Sequence, residues 1–178
     1  MEGVDLLLLS PGKEVSAADG DLAVQGEIAL ARRYADDIEL VYPVHRNPNV
    51  RAVVGKHLSN IPNVRLIDPL DYLPLVQLMK RAHLVLTDSG GLQEETTALG
   101  VPCLTLRENT ERPITVEQGT NTMVGRDTGA IRSEAAEILA GRGKHGRVPE
   151  LWDGHAAERI ASDLADWLLG QHRSRASA

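Results

Sequence analysis

Short apolar runs separated by polar, turn-forming stretches recur along the chain: DLLLL (Asp5–Leu9), IELVYPV (Ile38–Val44), VRLID (Val64–Asp68), HLVLTD (His83–Asp88), CLTLR (Cys103–Arg107) and NTMVG (Asn121–Gly125). Most are continuously apolar rather than alternating, the pattern of strands covered on both faces in a parallel sheet. Between them the spacing turns helical. Leu75, Leu78, Met79 and Ala82 fall at i, i+3, i+4 and i+7, and Ile160, Leu164, Trp167 and Leu168 form a similar stripe near the C-terminus. Val24, Ile28 and Ala31 suggest a further helix, weakened by Gly26. Strand alternating with helix predicts an α/β fold: a doubly wound, Rossmann-like parallel sheet in three layers. In such a sheet, ligands sit beyond the carboxyl ends of the strands, near the point where strand order switches. TDSGG, PVHRNPN and RENTERP all follow a predicted strand at that end.

At 178 residues the chain fits one domain, expected over residues 1–170, with residues 171–178 as a polar, disordered tail. A net charge of -6 and 3% aromatic residues give neither a basic footprint nor a stacking platform, so nucleic acid is not an expected partner. Cys103 is the only cysteine, which excludes a disulfide framework and a cysteine zinc site. No His-Glu or Cys-His spacing suggests a metal, and no cofactor is expected. Glu2 and Asp5 before the leucine run fit a buried strand better than a signal peptide, and no stretch is long enough for a membrane span. The expected location is the cytoplasm.

The stretch LTDSGGLQEET (Leu86–Thr96) ends an apolar run in Ser-Gly-Gly before a helix expected from about Leu92. Glycines allow close backbone approach to an anion, and the first amides of a helix lack intrahelical acceptors, so Ser89, Gly90 and Gly91 could seat a diphosphate. Asp88 or Ser89 acting as a plain helix cap explains the same residues equally well. Glu94 and Glu95 follow in the first turns; a carboxylate suits a pair of neighbouring hydroxyls, while helix-dipole stabilisation is the alternative. LRENTERP (Leu106–Pro113) carries Arg107, Glu108, Glu111 and Arg112, either a phosphate-binding loop or a surface loop with internal ion pairs. His45 stands at a strand end between structural and functional readings. SPGKE (Ser10–Glu14) lacks the earlier glycine and following Ser/Thr of a phosphate loop. Asp88 lacks the acidic pair that a phosphoacceptor aspartate would need after the first strand.

Taken together, VYPVHRNPNV, the stretch from IDPLDYLPLV through TDSGGLQEETTALGVPCLTLRENTERPITVEQGTN, and DGHAAERI resemble the C-terminal half of the non-hydrolysing UDP-N-acetylglucosamine (UDP-GlcNAc) 2-epimerases. The resemblance runs from about Asp37 to Leu168, most of this chain and about half of a family member. It implies one Rossmann-like half of a GT-B-type fold. Family members interconvert UDP-GlcNAc and UDP-ManNAc by removing the C2 proton, expelling UDP to leave a glycal, and adding both back on the other face. Position by position, it implies that Ser89, Gly90 and Gly91 bind the diphosphate, Glu95 holds the ribose, and Arg112 contacts UDP. His45 matches a histidine linked in bacterial members to a second, activating UDP-GlcNAc. Leu70 and Leu75 stand where members can carry a glutamine and a phenylalanine near the uracil.

Two departures bear on activity. Members carry an HRRE-type loop after the first strand of this domain, with a histidine that aids catalysis; here the loop reads SPGKEVSAADGD and no histidine precedes His45. The family's catalytic acids belong to an N-terminal domain outside this sequence, so no catalytic residue is assigned. The expectation is a nucleotide-binding half of a UDP-GlcNAc 2-epimerase, inactive without an N-terminal half. The alternatives are a non-catalytic UDP-sugar-binding or regulatory module and the donor domain of a split glycosyltransferase. UDP or UDP-GlcNAc, a separately encoded N-terminal half and a second copy in a homodimer are the expected partners.

Overall fold

The structure, a computed structural model, describes residues 5–10 and 25–176; for residues 5–10 and 170–176 it describes the backbone alone. The loop from Pro11 through Asp21, Val24 of the expected helical stripe, and the last two residues lie outside the described residues.

The strands are β1 (Asp5–Ser10), β2 (Ile38–Pro43), β3 (Val64–Ile67), β4 (Leu84–Thr87), β5 (Cys103–Thr105) and β6 (Asn121–Met123). They form one parallel sheet in the order β3-β2-β1-β4-β5-β6. The described helices are α1 (Gln25–Arg33), α2 (Pro48–Leu58), α3 (Tyr72–Arg81), α4 (Gly90–Leu99), α5 (Pro113–Glu117), α6 (Thr128–Leu139) and α7 (Ala156–Ala176). Each apolar run read from the sequence contains a strand; β1 runs one residue past its stretch, and the other strands are one or two residues shorter than theirs. β1 lies at the centre, with Leu7 level with Leu40 of β2 and Leu84 of β4. Strand order therefore reverses between β1 and β4, which fixes the switch point at the ends of Ser10 and Thr87.

Alternation along β4 generates the three layers. Leu84 and Leu86 belong to a core with Ile28, Leu30 and Ala31 of α1, Val50, Val54 and Leu58 of α2, and Ile131 and Ala135 of α6. Val85, pointing the other way, packs with Met79 of α3 and Leu92 of α4. Leu75 and Leu78 complete that second layer from α3, as their spacing predicts. Gly26, a poor helix former, has a packing reason: a Cβ there would stand 2.7 Å from Ile131 Cδ1 and 3.1 Å from its Cγ2, so its absence lets α1 approach α6 closely.

The helix ends follow local chemistry. Asn47 caps α2 by accepting from the Asn49 N–H at 3.0 Å, with Pro48 in the first turn. Asp127 caps α6 through the Ala130 N–H at 2.6 Å. Gly100, at φ 71°, ends α4 in the left-handed conformation.

The chain divides into two compact units, Met1–Arg147 and Val148–Ala178, where the sequence suggested one domain over residues 1–170. In the second unit α7 continues to Ala176, through most of the stretch expected to be a loose tail. Gln171, Arg173, Arg175 and Ala176 are polar or small yet good helix formers, so polarity alone is a poor guide to where the helix stops. Arg159 pairs with Asp153 ahead of this helix. That guanidinium, with the His155 N–H, holds the Asp153 carboxyl well below its usual range. Ile160, Leu164, Trp167 and Leu168 form the expected stripe but are all more than half exposed.

Candidate functional site

β4 is buried throughout and delivers the chain to the switch point at Thr87. Thr87 Oγ1 accepts the Ser89 N–H at 3.0 Å, tightening the turn into α4. The helix begins at Gly90, two residues earlier than expected, so both glycines lie in its first turn. Ser89 occupies the N-cap position at φ -81° and ψ 125°, but its side chain makes no capping hydrogen bond. Among the described residues, the N–H groups of Gly90, Gly91 and Leu92 have no recorded acceptor. These are the orphan donors of a helix tip, at the positive end of its dipole. The glycine faces are open: Cβ atoms there would meet nothing nearer than Arg112 Cγ at 3.9 Å for Gly90 and Ser89 Oγ at 3.9 Å for Gly91.

Arg112 thus passes over the same helix tip from the loop after β5. Pro113 opens α5, with Arg112 as its N-cap residue. Thr115 Oγ1 donates to the Arg112 carbonyl at 2.7 Å, and the Arg112 N–H donates to Thr110 Oγ1 at 3.0 Å. Thr110 Oγ1 in turn donates to Gln93 Oε1 at 2.6 Å, tying the arginine loop to α4. Gln93 is fully buried, and its carbonyl accepts from Asn121 Nδ2 of β6 at 2.9 Å. Asn121 also donates to Thr97 Oγ1 at 3.2 Å. Gly119 closes the seam, since a Cβ there would stand 2.4 Å from Thr97 Oγ1 and 2.6 Å from the Thr115 carbonyl.

The two glutamates separate. Glu94 Oε1 lies 2.9 Å from Arg112 Nε, with both side chains about two-fifths exposed at 42% and 41%. Glu95 Oε2 is buried without a hydrogen-bond partner among the described residues. Burial, and secondarily the charge of Glu94, raises the Glu95 carboxyl above its ordinary range. A half-buried carboxylate with an unsatisfied oxygen beside a helix tip is suited to accept from a ligand hydroxyl.

Beneath the switch point, sequence reasoning missed a second carboxyl. Glu27 of α1 is buried, and its Oε2 has no hydrogen-bond partner among the described residues. Burial pushes it up to about 8, outweighing the lowering by its own backbone N–H, and the negative charge of Asp88 adds a lesser push upward. Burial with Glu27 and Asp88 likewise raises Tyr42. No spacing rule singles out a lone glutamate on a core face.

Ser89, Gly90, Gly91, Glu95 and Arg112 are therefore brought together at one helix tip. His45 stands beyond β2, on the other side of β1 from this turn. Its Nδ1 accepts the Asn47 N–H at 3.1 Å. Leu70 is half-buried just ahead of α3, whereas Leu75 packs into the α3–α4 core. Gln93, Thr110 and Asn121 have no spacing signature; they meet only because residues far apart in sequence converge beside β6.

An open parallel sheet of this order, with a helix-tip turn at its switch point, is a Rossmann-like domain equivalent to one half of a GT-B-type fold. The family model described as UDP-N-acetylglucosamine 2-epimerase matches residues 22–165. A probable UDP-N-acetylglucosamine 2-epimerase of Ralstonia nicotianae is 46% identical over 134 residues, 75% of this chain and 36% of that protein. A UDP-GlcNAc 2-epimerase of Neisseria meningitidis, solved bound to UDP-GlcNAc, superposes with a TM-score of 0.80 at 32% identity, covering 92% of this chain and 45% of its own. The S. aureus MnaA structure with UDP gives 0.81 at 31% identity, covering 93% and 45%. The chain belongs to the UDP-N-acetylglucosamine 2-epimerase family. It spans less than half the length of these relatives and corresponds to their C-terminal part.

Proposed function

We propose that the chain is the UDP-sugar-binding half of a UDP-GlcNAc 2-epimerase. The observation that carries this reading is the convergence, in one family member, of the Arg112 guanidinium with Gly90–Leu92 amides and a Glu95 oxygen that have no hydrogen-bond partner among the described residues. In this reading the helix tip and Arg112 take the diphosphate, and Glu95 takes the ribose hydroxyls. Leu70 and Leu75 offer the uracil apolar surface without a side-chain amide, and His45 belongs to a second ligand position. The carbon-acid chemistry at C2 comes from groups on an N-terminal half, a separate chain or the preceding part of a longer one. The single buried cysteine is in keeping with a cytoplasmic setting.

Exchange of the C2 proton of UDP-GlcNAc, followed by NMR in heavy water, tests this reading. The chain alone should leave the proton in place, and addition of an N-terminal epimerase half should start exchange. Epimerisation by the chain alone would overturn the assignment of chemistry to another half. The first-strand loop, with no histidine before His45, favours a second reading as a UDP-GlcNAc sensor. A sensor binds UDP saturably and stays silent with every N-terminal half; restored turnover would exclude it. Homodimer formation belongs to either reading and is tested by sedimentation.

A further inference from the structure

We propose that Glu94 is the resident anion of the phosphate seat, holding Arg112 over the glycine turn in the free protein and yielding it to the ligand's diphosphate. This inference rests on the UDP-binding reading and adds to it a residue that sets affinity for the charged part of the ligand. Glu94 Oε1 lies 2.9 Å from Arg112 Nε. That Nε is nevertheless buried without an aligned hydrogen-bond acceptor among the described residues, so the contact is a charge contact rather than a directed bond. The remaining polar contact recorded for the guanidinium is Nη1 donating to the Glu111 carbonyl at 3.3 Å. Meanwhile Arg112 Cγ lies 3.9 Å from the position of a Gly90 Cβ, which places the side chain beside the free amides of the helix tip.

An arginine held there alone would leave an uncompensated cation beside the positive end of a helix dipole. Glu94 neutralises it, and because the pair is partly exposed and poorly aligned, the neutralisation is weak and exchangeable. A diphosphate accepts better: its oxygens can take the unaligned Nε–H and the orphan amides together. The exchange releases Glu94 beside Glu95, where a second carboxylate already raises the charge cost, so the ligand works against a built-in competitor. Ligands without phosphate leave the pair intact and should be indifferent to it.

Calorimetric titration of UDP and uridine into the wild type, Glu94→Gln, Arg112→Ala and the double variant tests this, with thermal melts to establish folding. Glu94→Ala serves as a second form of the same deletion. The expected result is UDP binding up to about fivefold tighter in Glu94→Gln, the scale of a partly exposed ion pair. Uridine affinity should not change, and the gain should shrink when Arg112→Ala is present. Unchanged or weaker UDP binding in both Glu94 variants would overturn the proposal while leaving the UDP site standing. A gain of equal size with and without Arg112 would overturn the exchange and show simple repulsion from Glu94. Failure of the wild type to bind UDP would remove the underlying reading itself, and with it this one.

Discussion

Arg112 can stand over the glycine turn because Thr110 and Thr115 fix its backbone on either side, and its role is testable by deletion. Arg112→Ala should weaken UDP binding by roughly 1.5–3 kcal/mol, the range for charge-assisted hydrogen bonds, and leave uridine nearly unchanged. Equal losses for both ligands would assign the arginine to structure. Glu27 makes a prediction of a different kind. Its carboxyl is raised to about 8 by burial, so the folded chain holds a proton that the unfolded chain releases above the usual carboxylate range. Stability from this group is therefore complete at low pH and declines as pH rises toward and through about 8. Glu27→Gln should melt at least about 3 °C above the wild type near about pH 9 and close to it near about pH 5. An unchanged difference across that range would place an ionised Glu27 in the native state. Cys103, buried with its thiol pushed up to about 12, should resist alkylation until the chain unfolds. Rapid labelling of the folded chain would contradict its burial.

Elements with strong periodicity were legible in the sequence; the contacts that aim the site were not. The leucine and valine runs announce strands because a parallel sheet covered on both faces tolerates few polar residues. Leu75, Leu78 and Met79 announce α3 because one stripe must reach the core. The glycine turn could be read only as a turn or a phosphate seat, since a bare spacing fits both; only its likeness to a family motif favours the phosphate seat proposed for it. Gln93, Thr110 and Asn121 escaped notice because no local pattern marks a polar residue that a distant strand will bury. Gly119 escaped for the same reason, although it holds α4 against the segment leading into β6. Adding a methyl there should cost about 1–3 kcal/mol, because the new group meets backbone as well as the Thr97 hydroxyl. Thermal melting of Gly119→Ala should show the loss, together with weaker UDP binding as the α4 tip and the Arg112 loop shift apart. A variant as stable as the wild type would show that the seam gives way easily.

At the scale of the whole molecule, doubly wound topology concentrates the ends of β1 and β4, the α4 tip and the Arg112 loop on one edge of the sheet. Fold class followed from hydrophobic pattern alone, whereas the division into units at Arg147 had no marker as clear as a linker in composition. The length of α7 follows local helix propensity through Gln171, Arg173 and Arg175 rather than the polarity of the stretch. The chain covers the C-terminal part of the relatives it matches, and its candidate site supplies anion-binding groups without an assigned base for C2. Binding without turnover is the expected behaviour of this part by itself. A calorimetric titration of the isolated chain with UDP tests that most directly. Saturable one-site binding is expected, displaced by UDP-GlcNAc and strongly weakened by Arg112→Ala; a folded chain that takes up no UDP would contradict a phosphate seat at the α4 tip.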